Sequence, residues 1–478
     1  MLFPVDLPPP EPLSFPAVIV SPDDPIVALA TPAASSALAV IRVSGNGSLR
    51  LLSRLARGGA DLADRPGHTL RRCVLHDEGE AVDEVLIAIY QGTRSYTGEE
   101  GAEIFCHGSL PVIRHLLSLL GRSGFRSAGP GEFTQRAFLN GRMDLTRAEA
   151  VNEIVRARTD RARALALQRL SGAIEDRITA ARDALIDLRA SLEIRLDYPD
   201  DDPEAGSSGG DPAGAPDAIP GTAHLDAAEA ILRGLAGTYR QGRIYQEGVS
   251  VAIAGATNSG KSSLFNALLR QDRAIVSEVH GTTRDWLEGV ASIEGIPVRL
   301  YDTAGLRRTE DALEQEGMRR TERVIGAADA VLYMVEGPRG LRPDDASWLA
   351  AWSGPAPVLR VWSKADLPCL PAPSGFHAVS AVTGHGMAGL ESAIAASVFD
   401  GGAPRDGEPL IDSERQRDLL LRSLDALGRF RRAAAGGVTV DLLAVDVADA
   451  LDALGEITGA VTSAEILERM FSAFCVGK

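Results

Sequence analysis

Cysteine is scarce in this chain: four in 478 residues (Cys73, Cys106, Cys369 and Cys475), scattered and without a CxxC pair. That spacing argues against a thiolate zinc site and a disulfide framework, and it suits a reducing compartment. Long apolar runs are missing too, since no stretch approaches the roughly 18 to 20 residues that a membrane span needs. Nor is there an excess of positive charge. With 49 Lys and Arg against 65 Asp and Glu, the formal net charge is −16, so an RNA partner has to be held by a local basic patch or through a second protein. The start, MLFPVDLPPPEPLSFPAVIV, has six prolines and no Lys or Arg, so it lacks the charged start and helical core of a signal peptide. Residues 1–22 read as a disordered or extended tail of a cytoplasmic protein with no membrane segment. What is present is ordinary for a soluble globular chain, 45% hydrophobic and 24% charged, with room for two to four domains.

Texture divides the rest. Ile26 to Ala30, Ala37 to Val43, VDEVLIAIY (82–90) and GAEIFCHG (101–108) read as strands, and SLPVIRHLLSLLGRSG reads as a helix closed by a glycine, giving an α+β domain over 23–141. From Asp144 the chain turns rich in Ala, Leu, Arg and Glu with apolar residues three and four apart, the pattern of long helices, over 142–246. Arg156, Arg158, Arg161, Arg163 and Arg169 there read as the solvated side of helices, with Glu and Asp interleaved. Inside this block, 200–222 is acidic and built from Gly, Pro, Ala and Ser, and reads as a flexible insertion. Residues 247–400 read as an α/β domain, and 401–478 as helical again after a short linker. The economical architecture is multidomain, with one all-α domain assembled from both helical blocks and the α/β domain inserted into it.

Within the α/β block, VSVAIAGATNSGKSS is strand, Gly-rich loop and helix start. Glycines at both ends let successive N–H groups turn inward on a phosphate, Lys261 reaches the β/γ-phosphates, and Ser262 offers a hydroxyl to Mg²⁺. Asn258, Ser259, Gly260 and Ser263 complete the loop. Downstream, Gly281-Thr282-Thr283-Arg284-Asp285 supplies Thr283 as a second Mg²⁺ ligand, and Asp302-Thr303-Ala304-Gly305 follows a strand, with Asp302 on the Mg²⁺ shell and the Gly305 N–H on the γ-phosphate. Ser363-Lys364-Ala365-Asp366 ends another strand, where Asp366 accepts both N–H donors of guanine, and Ser380-Ala381 sits on a last loop. The ordered set points to GTP. Two features depart from the commonest pattern. The base-reading element begins with Ser363 instead of Asn or Thr. Leu306 stands where Ras-type GTPases carry the water-orienting glutamine, so another group has to do that work; Glu310, Asp311, Glu314 and Glu316 have equal claims.

Across nearly its whole length the chain resembles the MnmE (TrmE) family of tRNA-modifying GTPases. The resemblance rests on DPIVALATP and AVIRVSG, SYTGEEGAEIFCHG, PGEFTQRAFLNGRMDLTRAEAV, GTTRD with DTAGLR, LGEITGAVTSAEILERMFSAF, and the terminal FCVGK. It implies an N-terminal folate-binding and dimerisation domain, a discontinuous helical domain and an inserted Ras-like P-loop GTPase domain. It implies a homodimer that forms a heterotetramer with an MnmG-type FAD protein and acts on the wobble uridine of certain tRNAs. The folate, a 5-formyltetrahydrofolate or relative, would meet Arg42, Glu103, Arg142 and Lys478. Glu314 would position water, and K⁺ would be held by Asn258, Ser277, Val279 and Thr282. Cys475 is a candidate for the modification chemistry; the other reading is a buried apolar cysteine in the last helix. Rival functions are a GTP-switched RNA or ribosome assembly factor, and a folate-dependent one-carbon transferase that the nucleotide domain regulates.

Overall fold

The computed structural model describes residues 24–57, 62–197, 222–271, 287–302, 323–399 and 407–478. The tail at 1–22 and nearly all of the 200–222 insertion lie outside them. Two compact units form, Met1–Met143 with Ala464–Lys478, and Asp144–Ser463.

The first unit is built on a mixed sheet of seven strands among the described residues, in the order β3-β4-β5-β6-β2-β1-β7. The strands are β1 (Ile26–Leu29), β2 (Leu38–Ser44), β3 (Ala56–Arg57), β4 (Thr69–Asp77), β5 (Glu80–Tyr90), β6 (Gly101–His107) and β7 (Arg126–Ser127). Alternation decides the faces: Ile41, Val43, Ile87, Ile89 and Ile104 point to the core and meet Ile113, Leu116 and Leu120 of α2 (Leu110–Arg122). Ser109 caps α2 by accepting from the Val112 N–H, and the chain leaves the helix through Gly124 at φ 107°. The remaining helices are α1 (Ser48–Ser53), α3 (Glu132–Leu139) and, from the end of the chain, Ala464–Phe471.

That last helix departs from the sequence reading, which carried the helical domain through to 478; the structure groups 464–478 with the N-terminal unit. The reason is local. Gly131, at φ 65°, has no side chain, and a Cβ there would come within 2.9 Å of the Phe474 Cβ and 2.8 Å of the Phe471 carbonyl oxygen. The rings of Phe471 and Phe474 lie 5.2 Å apart, tilted by 50°, beside it, and Val476 bridges Pro130.

The second unit opens with α4 (Leu145–Arg156), α5 (Asp160–Leu170), α6 (Ala173–Asp197), α7 (Thr222–Gly237) and α8 (Tyr239–Glu247). On α6, Ile174, Ile178, Ala181, Leu185, Leu188 and Leu192 repeat at three- and four-residue steps and are all buried. They pack with α7 and with two helices from beyond the sheet in sequence, Glu414–Ala435 and Val440–Thr458. The sheet between them runs β13-β12-β11-β8-β10-β9, from β8 (Val249–Gly255), β9 (Leu287–Ile293), β10 (Ile296–Asp302), β11 (Ala330–Glu336), β12 (Val358–Ser363) and β13 (Phe376–Ala378). All pairings are parallel except β9 with β10. Helices α9 (Lys261–Gln271), α10 (Pro343–Ala351) and α11 (Met387–Val398) cover it; in chain order the last three helices are then α12 (Glu414–Ala435), α13 (Val440–Thr458) and α14 (Ala464–Phe471).

One charge assignment needs correcting. Arg156, Arg158 and Arg163 are exposed, but Arg169 is only 2% exposed and is not a solvated side chain. Its guanidinium bonds Glu153, the Asp412 carboxylate at 2.7 Å and, through Nε, the Leu410 carbonyl at 2.7 Å. Burial, together with the charges of Asp412 and Glu149, pushes the Glu153 carboxyl upward against the pull of Arg169.

Candidate nucleotide site and a second charged site

At the carboxyl ends of β8, β10, β11 and β12 the sheet presents the loops that carry the nucleotide motifs, the usual place for a ligand on such a sheet. The loop after β8 is shaped by its backbone. Gly255 takes φ 131° where a Cβ would sit 2.3 Å from the Met334 carbonyl oxygen, Asn258 takes φ 65° and Gly260 φ 91°. Lys261 is buried, and its Nζ donates to the Gly255 and Ala256 carbonyls at 3.0 and 2.7 Å, so its charge lies over the loop. Ser262 Oγ donates to Asp302 Oδ2 at 2.7 Å, bringing together from α9 and β10 the two groups assigned to Mg²⁺. A hydroxyl and a buried carboxylate are the hard oxygen donors that Mg²⁺ takes.

The base-reading side is equally tied to the loop. Ser363 Oγ lies 2.7 Å from the Ser259 carbonyl and 3.1 Å from the Val335 carbonyl, both acceptors for its single proton. Lys364 adopts φ 58°, a left-handed conformation that costs a side chain roughly 1 to 2 kcal/mol, and Glu336 holds its ammonium at 2.8 Å. Asp366 is exposed with no ion pair among the described residues. Ser380 is fully buried and its Oγ accepts from the Val382 and Thr383 N–H groups, which turns the Ser380-Ala381 loop. A cleft of about 860 Å³ runs over Thr257, Asn258, Lys261, Ser262 and Lys364 to a wall of Tyr333, Asp345 and Trp348. Burial and the Asp345 carboxylate, which accepts the Tyr333 hydroxyl at 3.0 Å, push that phenol up.

Sequence reasoning missed Glu336 and the aromatic wall. The only signal was an acid ending an otherwise apolar strand, one position before Gly337. Asn258, Ser259, Gly260, Asp302, Ser363, Lys364, Asp366, Ser380 and Ala381 fall on these loops and strand ends, and Lys261, Ser262 and Ser263 form the first turn of α9. Ser277, Val279, Gly281, Thr282, Thr283, Thr303, Ala304, Gly305 and Glu314 lie outside the described residues, and of the K⁺ set only Asn258 falls within them.

The first unit carries a second charged cluster. Arg42 on β2 stands opposite Glu103 on β6, with Nη2 to Oε1 at 2.7 Å and Nε to the same oxygen at 3.0 Å. The rings of Phe133 and Tyr96 lie 5.7 and 5.9 Å from the guanidinium, and Tyr90 donates to Glu103 at 3.3 Å. Arg42 Nη1 also donates to the Gly477 carbonyl at 3.0 Å, and the Phe133 and Gly131 N–H groups donate to the Lys478 and Cys475 carbonyls. Arg42, Glu103 and the terminal segment are therefore in contact. Arg142 is exposed on the loop after α3 against Gly98 and bonds none of the three. Cys475 is exposed, which rules out the buried apolar reading. Tyr90, Tyr96 and Phe133 were not foreseen, because nothing in strand periodicity marks which aromatics flank an arginine.

Glu132, at the start of α3, is 2% exposed and carries Arg126, Arg136 and the Gly129 N–H. Burial pushes its carboxyl up, but Arg126, the Gly129 N–H and Arg136 outweigh that and hold it below the usual carboxylate range.

The family model for the MnmE helical domain matches residues 145–475, and that for the GTP-binding protein TrmE N-terminus matches residues 25–142. The tRNA modification GTPase MnmE of Geobacter sulfurreducens is 41% identical over 465 residues, 95% of this chain and 99% of that one. The chain belongs to the MnmE family of tRNA modification GTPases. The MnmE of Syntrophus aciditrophicus is 37% identical with the same coverage, and that of Parasynechococcus marenigrum is 40% identical, again over 95% and 99%. Among solved structures, the G domain of the T. maritima FeoB iron transporter is 26% identical over 32% of this chain and 99% of that one, at a TM-score of 0.23. Among the described residues, no helix is long and apolar enough to cross a membrane.

Proposed function

We propose that this chain hydrolyses GTP to drive modification of tRNA, acting as a cytoplasmic homodimer with an MnmG-type FAD protein in a heterotetramer. Together they add a (carboxymethyl)aminomethyl group at C5 of the wobble uridine of certain tRNAs. The observation that carries the reading is the Ser262–Asp302 contact under a loop whose lysine and backbone face one cleft, in a chain of this family.

In this reading the loop amides from Asn258 to Ser263 and the Lys261 ammonium bind the β- and γ-phosphates, and Asp366 accepts the guanine N–H donors while Ser380-Ala381 backs the base. Ser262, Asp302 and Thr283 hold Mg²⁺, which neutralises charge on the phosphate oxygens. Asn258, with Ser277, Val279 and Thr282, holds K⁺ in place of an arginine finger, Glu314 positions the attacking water, and Thr303, Ala304 and Gly305 meet the γ-phosphate. The folate is held by Arg42, Glu103, Arg142 and Lys478: cations pair its carboxylates, and Glu103 accepts from pterin N–H donors. Cys475 supplies the exposed thiol of the modification chemistry. Mass spectrometry of tRNA nucleosides from a deletion strain tests the whole reading. Loss of the C5 substituent, restored by the wild-type chain and not by Cys475→Ser or Glu314→Ala, is expected. Normal tRNA with altered ribosome profiles would instead mark an assembly factor.

A further inference from the structure

Helix α5 touches the nucleotide sheet along one face. At its start, the Thr159 hydroxyl accepts from the Ala162 N–H at 3.1 Å, capping the helix, and donates to the Gly295 carbonyl at 2.7 Å. One side chain thereby joins the helix terminus to the tip of the β9–β10 hairpin. Beside it, a Cβ on Gly295 would come within 2.8 Å of Arg161, whose guanidinium lies 5.7 Å from the Tyr245 ring. Midway along, Leu165 is buried in the same core as Ile293, Ile296 and Val298. At the far end, Arg169 holds Leu410 and Asp412, where the chain returns from the sheet.

The hairpin is held at its tip and along β10. Glu294 and Gly295 both have positive φ, 48° and 80°, the two-residue turn whose twist matches the strands. Glu294 is itself held by Ser392 of α11 at 2.5 Å, and β10 is paired to β8 from Val298 to Asp302. In sequence the hairpin begins just after GTTRD and ends at Asp302. Asp302 takes the Ser262 hydroxyl, so a seven-residue strand, roughly 20 Å long, joins that contact to the tip.

We infer that Thr159 passes the nucleotide state to α5: its hydroxyl ties the first turn of that helix to the tip of the hairpin whose other end carries Asp302. This rests on the reading of the 255–262 loop as a GTP site. It is tested on the full-length chain, loaded with GDP or a non-hydrolysable GTP analogue, by hydrogen exchange of the α5 peptide, with nucleotide affinity measured separately. Exchange in the first turn of α5 is expected to differ at least threefold between the two states. Thr159→Asp keeps the capping acceptor but loses the donor to Gly295, so it abolishes that difference while GDP affinity stays within twofold; Thr159→Ser preserves it. Exchange that ignores the nucleotide in the wild-type chain overturns the inference, as does an undiminished difference in Thr159→Asp or a lost one in Thr159→Ser. Failure to bind either nucleotide would instead overturn the reading of the loop.

Discussion

Ser363 offers the most direct check on how the nucleotide site is held. Its hydroxyl has one proton for two carbonyl acceptors, Ser259 at 2.7 Å and Val335 at 3.1 Å, and the side chain is 3% exposed. Ser363→Ala removes the donor and leaves the Ser259 carbonyl under the phosphate loop without it, a cost of about 1 to 3 kcal/mol for a buried group. That predicts a fall in unfolding midpoint of roughly 1 to 5 °C for a unit as large as Asp144–Ser463. The loop loses its tether to the base-reading strand, so GDP and GTP should weaken together, by up to about tenfold, because the bond touches no γ-phosphate. Ser363→Asn supplies two N–H donors and can serve both carbonyls at once, worth about 0.5 to 1.5 kcal/mol. Ser363→Thr adds a methyl without a second donor and so isolates volume from donor number. Fluorescent GDP titration with thermal unfolding by circular dichroism reads all three. An alanine variant with unchanged midpoint and unchanged GDP affinity would refute the tether, and equal affinities for the Asn and Thr variants would refute the donor count.

Other consequences are as concrete. Glu132 is held below the usual carboxylate range when folded, so its stabilisation is present above the unfolded value and is lost as pH falls through the lower folded one. Glu132→Gln should cost about 3 kcal/mol at pH 7 in denaturant unfolding, with the gap narrowing at acid pH. GTP turnover should be much faster in KCl than in NaCl at equal ionic strength, and Glu314→Ala should keep GTP affinity while losing turnover; equal rates, or full turnover, would remove those roles. Arg42→Ala should weaken 5-formyltetrahydrofolate binding at least tenfold by calorimetry, and Arg42→Lys should recover only part of it, because the lysine cannot reach Glu103 and Gly477 together.

How much of this was legible depends on whether the determining residues are neighbours in sequence. The phosphate loop was, because its chemistry demands glycines, a lysine and a hydroxyl within eight positions between a strand and a helix. Strand β8 was, from the alternation of Val249, Val251 and Ile253 before the loop, and β11 was, because a parallel strand covered on both faces reads as an unbroken apolar run. By contrast β4 was passed over. Arg71 and Arg72 interrupt its pattern, although Leu75 is fully buried and Cys73 packs against the same core. The antiparallel edge strand β9 also escaped notice. Arg169 was misread because its partners Glu153, Leu410 and Asp412 are distant in sequence, and helical periodicity does not tell a solvated arginine from one closing a connection. The destination of the last helix was illegible for the same reason: an amphipathic repeat says that a face is buried, not against which core.

That last helix gives the C-terminus a defined role in the first unit. The carbonyls of Cys475, Gly477 and Lys478 accept from Gly131, Arg42 and Phe133, so three separate donors fix the backbone of the final four residues. A terminus fixed at so many points is unlike the fraying expected of a chain end. The ordering entropy, roughly 1 to 2 kcal/mol per residue, is offset by these bonds and by the burial of Phe471 and Phe474 against Gly131. Cys475, the first residue of this fixed segment, and Val476 beside it are both exposed, one and two residues beyond buried Phe474. An exposed thiol on a held backbone is what the role proposed for Cys475 in the modification chemistry requires, and full modification of tRNA by Cys475→Ser would refute that role.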